Sequence, residues 1–311
     1  MPSVWPEYHD IAAIPSENVL AVVGFGDACT RASVCVPMRQ LGSQRVAEVW
    51  RSDSGKVQGG KHGDVSFVST NGAMFGTVRV AGDRSTDAAA YAAYSAIVEA
   101  IRSAGYPHLI RAWNHLGGVN LEEDGVERYK RFSAGRHDAL TGYGFSREQF
   151  PAASAVGMSE RGLLIYFLAG REAGEQVENP RQVSAYEYPP QYGRRAPSFA
   201  RATLSGSEIF VAGTSSVVGH ESVHVGEVIA QLDETLANLE VIISTAAARR
   251  GAKSSLGDLL GAKVYIRNAS DYDAISARLR EAMPQSTFLF VESDICRSDL
   301  LLEIEGVVRI A

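Results

Sequence analysis

The sequence predicts an α/β (α+β) fold made of two copies of one β-α-β-α-β-β unit, with helices packed on mixed sheets. Two observations carry this expectation. The order of apolar runs and amphipathic stretches in residues 73–169 recurs in residues 209–310 with similar lengths. Each copy also alternates period-2 and period-3.6 hydrophobic patterns, which puts its helices on one sheet face and leaves the other face for a neighbour to cover.

In the first copy the pattern predicts a strand over Ala73–Ala81, a helix over Asp87–Ala104 and a strand over Leu109–Leu116. A helix over Glu127–Leu140 and strands over Phe150–Met158 and Leu163–Ala169 follow. The second copy reads as strand Ile209–Gly213, helix from about Ser222 to Ala247, strand Gly257–Arg267, helix Asp271–Met283, and strands Thr287–Asp294 and Leu300–Ile310. Upstream, Asn18–Phe25 and Ala47–Arg51 read as strands, and Ser54–Asp64 as a turn or mobile loop. Domains are expected at 1–185 and 186–311, with the active site at their seam. The connection Arg171–Pro197 holds four of the eleven prolines together with Tyr186, Tyr188 and Tyr192. It is therefore expected to be stiff and to pack onto the units it joins.

Three helices carry simple core stripes: Tyr91, Tyr94, Val98 and Ile101; Val225, Val228, Leu232, Thr235, Leu236, Leu239 and Ile243; and Ile275, Leu279 and Met283. The helix over Glu127–Leu140 differs, because Arg136 shares its apolar stripe with Tyr129, Phe132 and Leu140. A buried arginine needs a counter-charge. It is either a structural ion pair or an anion-binding group, with Tyr129 about two turns away.

Formal net charge is −6 over 311 residues, which argues against a nucleic-acid binder driven by phosphate contacts. The start of the chain lacks a signal-peptide pattern, and no apolar run approaches membrane-spanning length. The three cysteines, Cys29, Cys35 and Cys296, form no CxxC pair. Together these features predict no disulfide framework and a cytoplasmic, membrane-free protein. With two fused units covering much of the seam internally, a monomer is expected.

Four motifs bear on chemistry. His220-Glu221-Ser222-Val223-His224 matches HExxH, but it lies between Gly219 and Gly226 rather than inside a helix. A capping and hydrogen-bonding role is expected there, and no metal. Gly24-Phe25-Gly26 lacks the third glycine and the following helix of a dinucleotide loop. Gly213-Thr214-Ser215-Ser216, at a strand end, is either a polar turn or a place where backbone and hydroxyls approach an oxyanion. Glu303 and Glu305 alternate with Leu302 and Ile304, so both carboxylates share one strand face. On an exposed face this is unremarkable. At the seam such a carboxyl would be desolvated and its pKa raised, as a general acid requires.

The second half resembles the RidA-like (YjgF) fold family in Phe210–Gly213, in Gln231, Thr235–Leu236 and Asn238–Leu239, in Gly257–Asn268 and in Leu302–Gly306. The first half keeps the similar Phe150–Gly157. The arginine that the imine deaminases of that family use is replaced by Ala153 and is missing from Thr287–Glu292. Nearly the whole chain beyond about Gly63 resembles the chorismatases, through Arg111–Asn120, Glu127–Arg136, Pro151–Gly157, Asn179–Ala202, Ala212–His224 and Cys296–Gly306. The resemblance implies cleavage of chorismate, a small dianionic enol ether, with no metal or organic cofactor. It makes Glu303 the catalytic glutamate, Arg136, Tyr129, Arg201, Gly213 and Thr214 substrate-binding, and Cys296 and Ser215 positions that bear on the product. Cys296 points to 3-hydroxybenzoate plus pyruvate, whereas Ser215 matches neither branch's usual small residue. Hydrolysis to a dihydroxycyclohexadiene carboxylate, zinc hydrolysis and a non-catalytic small-molecule binder of the same fold are the alternatives.

Overall fold

The computed structural model describes residues 3–53 and 56–310. In chain order the elements begin with β1 (Val4–Asp10), β2 (Val19–Phe25), β3 (Val34–Val36) and β4 (Val46–Ser52). The first repeat follows as β5 (Gln58–His62), β6 (Val65–Ser69), β7 (Ala73–Val80), α1 (Thr86–Ser103), β8 (His108–Gly117), the short β9 (Glu122–Glu123) and β10 (Val126–Glu127), α2 (Arg128–Gly142), β11 (Ala152–Met158) and β12 (Leu163–Gly170). The second repeat comprises β13 (Glu175–Val177), β14 (Ala202–Ser205), β15 (Glu208–Thr214), the short β16 (Val217–Val218) and β17 (Glu221–Ser222), α3 (Val228–Ala248), β18 (Gly261–Ile266), α4 (Tyr272–Ala282), β19 (Thr287–Glu292) and β20 (Leu302–Arg309).

The two six-stranded sheets have one topology. The first runs β11-β8-β12-β7-β6-β5 and the second, read from its far edge, β19-β18-β20-β15-β14-β13. In each, the strands before and after the second helix pair in parallel, and the final strand lies antiparallel between two others. The repeat expected from the sequence is present, and each copy is one hairpin longer than expected. Residues 58–62, expected to be a loop, form β5 with three glycine or histidine positions and little apolar signal; Ser54 and Gly55 lie outside the described residues. In the second copy the added hairpin is β13 and β14, and β13 lies within the Arg171–Pro197 segment expected to be connection.

Each sheet buries one face under its own helices. Tyr94, Ile97, Ile101 and Phe132 pack on the first sheet, and Leu232, Leu239, Ile243 and Leu279 on the second. Tyr91 and Val225, expected on core stripes, are exposed. The helix expected to start near Ser222 starts at Val228, because Glu221–Ser222 pair with Val217–Val218 as a hairpin. Residues 256–258 form a 3-10 turn, so β18 begins at Gly261 rather than Gly257. The helices α1 and α2 touch at Gly135, where a Cβ would come within 2.0 Å of the Asp87 carbonyl oxygen.

The remaining faces enclose a core that includes a third sheet, β1-β4-β2-β3. Its centre is Trp50, fully buried, with ring centroids 5.1 Å from Trp113, 5.6 Å from Phe75 and 6.4 Å from Phe210. The expectation of unpaired cysteines fails here. The turn after β2 brings Cys29 to Cys35 of β3, with Cα atoms 5.3 Å apart, and the two form a disulfide. Cysteine usage therefore does not support the expected reducing compartment. No helix among the described residues is long and apolar enough to cross a membrane.

Trp50 joins all three sheets. Its replacement by alanine is expected to lower unfolding stability by about 3–5 kcal/mol, as large-to-small changes at buried aromatics do. Urea denaturation checks this, and a loss below about 1 kcal/mol would show that the third sheet is an appendage.

Candidate active site

A cavity of about 500 Å³ opens where α2 and β11 of the first repeat meet the end of β15, the 296–300 segment and β20 of the second. Its last wall is the connection between repeats. That connection is tied down at both ends of its path. Arg181 donates to Asn238 Oδ1 (2.6 Å) and Glu234 Oε1 (2.6 Å) of α3. Val183 N–H donates to the Gly219 carbonyl (2.8 Å), and the Tyr192 hydroxyl to the His220 carbonyl (2.6 Å). The expected stiffness thus has a cause, and Tyr188 and Tyr192 face the cavity.

Seven of the eight site residues expected from the sequence line this cavity: Tyr129, Arg136, Arg201, Gly213, Ser215, Cys296 and Glu303. Thr214 does not. Strand alternation turns it away, and its hydroxyl donates to the Ala212 carbonyl at 2.9 Å. Arg136 is buried, Nε and Nη2 have no hydrogen-bond partner, and its guanidinium lies 5.0 Å from the Tyr94 ring centroid. Burial pushes its pKa down. The stripe arginine is thus no structural ion pair; it presents unmet donors to the cavity. Arg201 donates to the Tyr188 hydroxyl (2.6 Å) and the Val183 carbonyl (3.1 Å), leaving Nε free.

Glu303 is buried on β20, beside Tyr265 of β18. On its other side β15 is bulged: three steps from Val211 to Thr214 oppose two from Gly306 to Ile304. The bulge brings Gly213 against the carboxyl, where a Cβ would lie 1.9 Å from Glu303 Oε1. Only glycine leaves Glu303 its place. Oε1 has no hydrogen-bond partner. Burial, then the charge of Glu305, pushes the Glu303 carboxyl up to about 8; Arg111 and Arg201 oppose the shift. Two residues on, the same face carries the opposite case. Glu305 accepts from Arg111 Nη2 (2.5 Å), Lys263 Nζ (2.9 Å), the Tyr265 hydroxyl (2.9 Å) and the Ser154 hydroxyl. Although burial opposes it, Lys263 and Arg111 hold this carboxylate down at about 2. Two neighbouring carboxyls with pKa values pushed apart make one a proton donor and the other a fixed charge.

Burial, and next the neighbouring Glu303, pushes the Cys296 thiol up to about 12, so it is a neutral thiol near neutrality and no nucleophile. Tyr129 is likewise held as a neutral phenol, chiefly by burial. The hydroxyl of Ser215 is buried without a partner. The HExxH segment forms the β16–β17 hairpin, so its histidines do not share a helix face. No side chain there caps α3; the expected capping role fails and the hydrogen bonding to His220 remains.

Sequence reasoning missed Arg297. It donates to the His220 carbonyl (2.9 Å) and stacks on Tyr192, 4.3 Å from the ring centroid, at the cavity wall. Its only signal was adjacency to Cys296. The cavity therefore combines three arginines, a carboxyl that retains its proton near neutrality, and aromatic walls. This suits a small dianion that is to be protonated.

Comparison with known proteins agrees with that geometry. A family model described as "Chorismatase FkbO/Hyg5-like, N-terminal" matches residues 48–169. A 3-hydroxybenzoate synthase of Streptomyces hygroscopicus is 36% identical over 94% of this chain and 92% of its own length. A chorismatase of Streptomyces rapamycinicus is 36% identical over 92% of this chain and 88% of its own. A chorismatase crystal structure superposes with a TM-score of 0.89 at 32% identity, covering 99% of this chain and 98% of that one. With a buried acid, free arginines and relatives aligned over nearly its whole length, the chain belongs to the chorismatase family.

Proposed function

We propose that the protein cleaves chorismate to 3-hydroxybenzoate and pyruvate, with Glu303 as the proton donor. The observation that carries this reading is Glu303, buried in a cavity that it shares with Arg136, Arg201 and Arg297, its carboxyl pushed up to about 8 chiefly by burial. A chorismate dianion matches Arg136 and Arg201, whose guanidinium groups lie against the rings of Tyr94, Tyr188 and Phe199, with Tyr129 as a neutral donor.

The enol ether is inert until its methylene carbon takes a proton. Glu303 gives that proton, and the ether carbon becomes an oxocarbenium centre stabilised by the conjugate carboxylate. The neighbouring ring hydroxyl then attacks the ring carbon that bears the ether. The carbon–oxygen bond breaks, its electron pair returns to the ether oxygen, and pyruvate leaves. The attacking hydroxyl surrenders its proton, which restores Glu303. The resulting arene oxide opens and loses a ring proton to give 3-hydroxybenzoate. Atoms and charge balance without a redox partner. Cys296, a neutral thiol lining the same cavity as Glu303, supports this route over hydrolysis through its resemblance to the 3-hydroxybenzoate-forming branch of the family.

Incubation with chorismate, followed by chromatography with mass detection, is expected to give 3-hydroxybenzoate and pyruvate in equal amounts. A dihydroxycyclohexadiene carboxylate in their place would assign the hydrolytic reaction to the same site, and absence of pyruvate would leave a binding protein. Glu303→Gln is expected to fold normally and lose about 10²–10⁴-fold in kcat. Because the acid form of Glu303 is the active one, kcat/KM should be level below about pH 8 and fall tenfold per unit above it. A profile that rises through pH 8 would make Glu303 a base. Arg136→Met should raise KM at least about tenfold with a smaller change in kcat, as loss of a charged hydrogen bond to substrate does.

A further inference from the structure

The third sheet reaches toward the proton on Glu303 through a buried chain of charges. Lys263 Nζ lies 2.5 Å from Glu48 Oε2 of β4 and 2.9 Å from Glu305 Oε1 of β20, and donates to the Tyr166 hydroxyl at 2.6 Å. Arg111 of β8 binds Glu305 from the other side at 2.5 Å. The other oxygen of Glu48 accepts from Trp50 Nε1 at 2.6 Å. All four charged side chains are at least 97% buried. Phe25, Trp113, Tyr166 and Tyr265 surround the ammonium with ring centroids 5.1–5.9 Å away.

The count is two cations, Arg111 and Lys263, against two carboxylates, Glu305 and Glu48. Each cation contacts a carboxylate directly, and the chain is neutral. Glu303 would be a third carboxylate in the same enclosure, beside Glu305 on one strand face and with Oε1 unpartnered. A fifth charge without a partner is strongly disfavoured at such a place.

We propose that Glu48, supplied by the third sheet, is a positioning residue for catalysis: by balancing Lys263 it leaves Glu303 as the carboxyl that must keep its proton. The proposal rests on the reading of Glu303 as the acid. It assigns the third sheet a chemical task in addition to covering the core. The other groups facing Glu303 are Glu305 on its own strand, Arg111 from β8, Tyr265 from β18, Tyr129 from α2, Arg201 before β14 and Cys296 before β20. The test leaves all of them in place.

The test exploits sign. Glu48→Gln leaves the chain with a surplus cation, so Glu303 should ionise more readily and the alkaline limb of kcat/KM should move down by about one pH unit. Lys263→Met leaves a surplus anion, with the thioether in the aromatic enclosure, and should move the limb up by a similar amount. The double variant restores neutrality and should return the limb to within about half a unit of the wild type. A merely structural role would lower activity in all three without opposed shifts. The same titration is read without turnover from the Glu303 carboxyl ¹³C resonance, assigned by its loss in Glu303→Gln. If that resonance shifts as stated while chorismate is untouched, the charge chain stands and the substrate reading falls. Turnover with both limbs unmoved, or moved in one direction, overturns the proposal. Should Glu48→Gln alone not fold, Lys263→Met compared with the double variant carries the same sign test.

Discussion

Everything in the interior is arranged around an ammonium group that cannot reach water. Lys263 projects from the middle of a sheet into the space between three sheets, where a lone charge is not tolerated. Glu48 and Glu305 answer it from opposite sides, one from the third sheet and one from the last strand of the second repeat. That requirement fixes the third sheet's orientation, because Glu48 must reach inward while Trp50, two residues on and on the same face, seals the aromatic cluster. The apolar contacts around it supply most of the stabilisation, while the charges specify which of several similar packings is adopted.

Two copies of one unit have come to do different work. The first repeat gives the cavity a helix face with an arginine free to bind. The second gives a bulged strand, a glycine and two carboxyls. Neither contains a whole site. The connection between them serves as a wall, because its tyrosines stack and its backbone is bound to the β16–β17 hairpin. Three arginines from different parts of the chain, Arg136, Arg201 and Arg297, line the cavity together with Glu303, whose carboxyl is pushed up chiefly by burial.

The fold was legible where local pattern decides it. Alternation in β20 and the stripes of the helices identified the repeat, and the odd arginine on the α2 stripe singled out Arg136, which presents unmet donors to the cavity. Arg136, Tyr129 and Glu303 follow from the periodicity of α2 and β20, whereas Arg201 and Cys296, which lie in bends, were named through the family resemblance alone. Thr214 was named together with its neighbours in the Gly213–Ser216 segment, and strand alternation sends its side chain away from the cavity that Gly213 and Ser215 line. The third sheet was only half legible: Asn18–Phe25 and Ala47–Arg51 read as strands, but β1, which contains a proline, and the three-residue β3 carry little periodic signal. Glu48 and Lys263 could not be paired from sequence, being 215 positions apart with ordinary surroundings. The disulfide was missed for a related reason: closeness of Cys29 and Cys35 is set by a turn rather than by any motif.

Strand β20 is the latest strand in the chain, yet it lies inside its sheet, between β15 and β18. Until it arrives, those two strands have open edges and Lys263 lacks one of its two carboxylates. During synthesis Lys263 therefore precedes the carboxylate of Glu305 by 42 positions, and β15 and β18 have no strand between them until β20 is made. Glu303, the candidate acid, and Glu305, the carboxylate that binds Lys263, enter together on that strand. Closure of the second sheet and completion of the candidate site thus depend on the same strand.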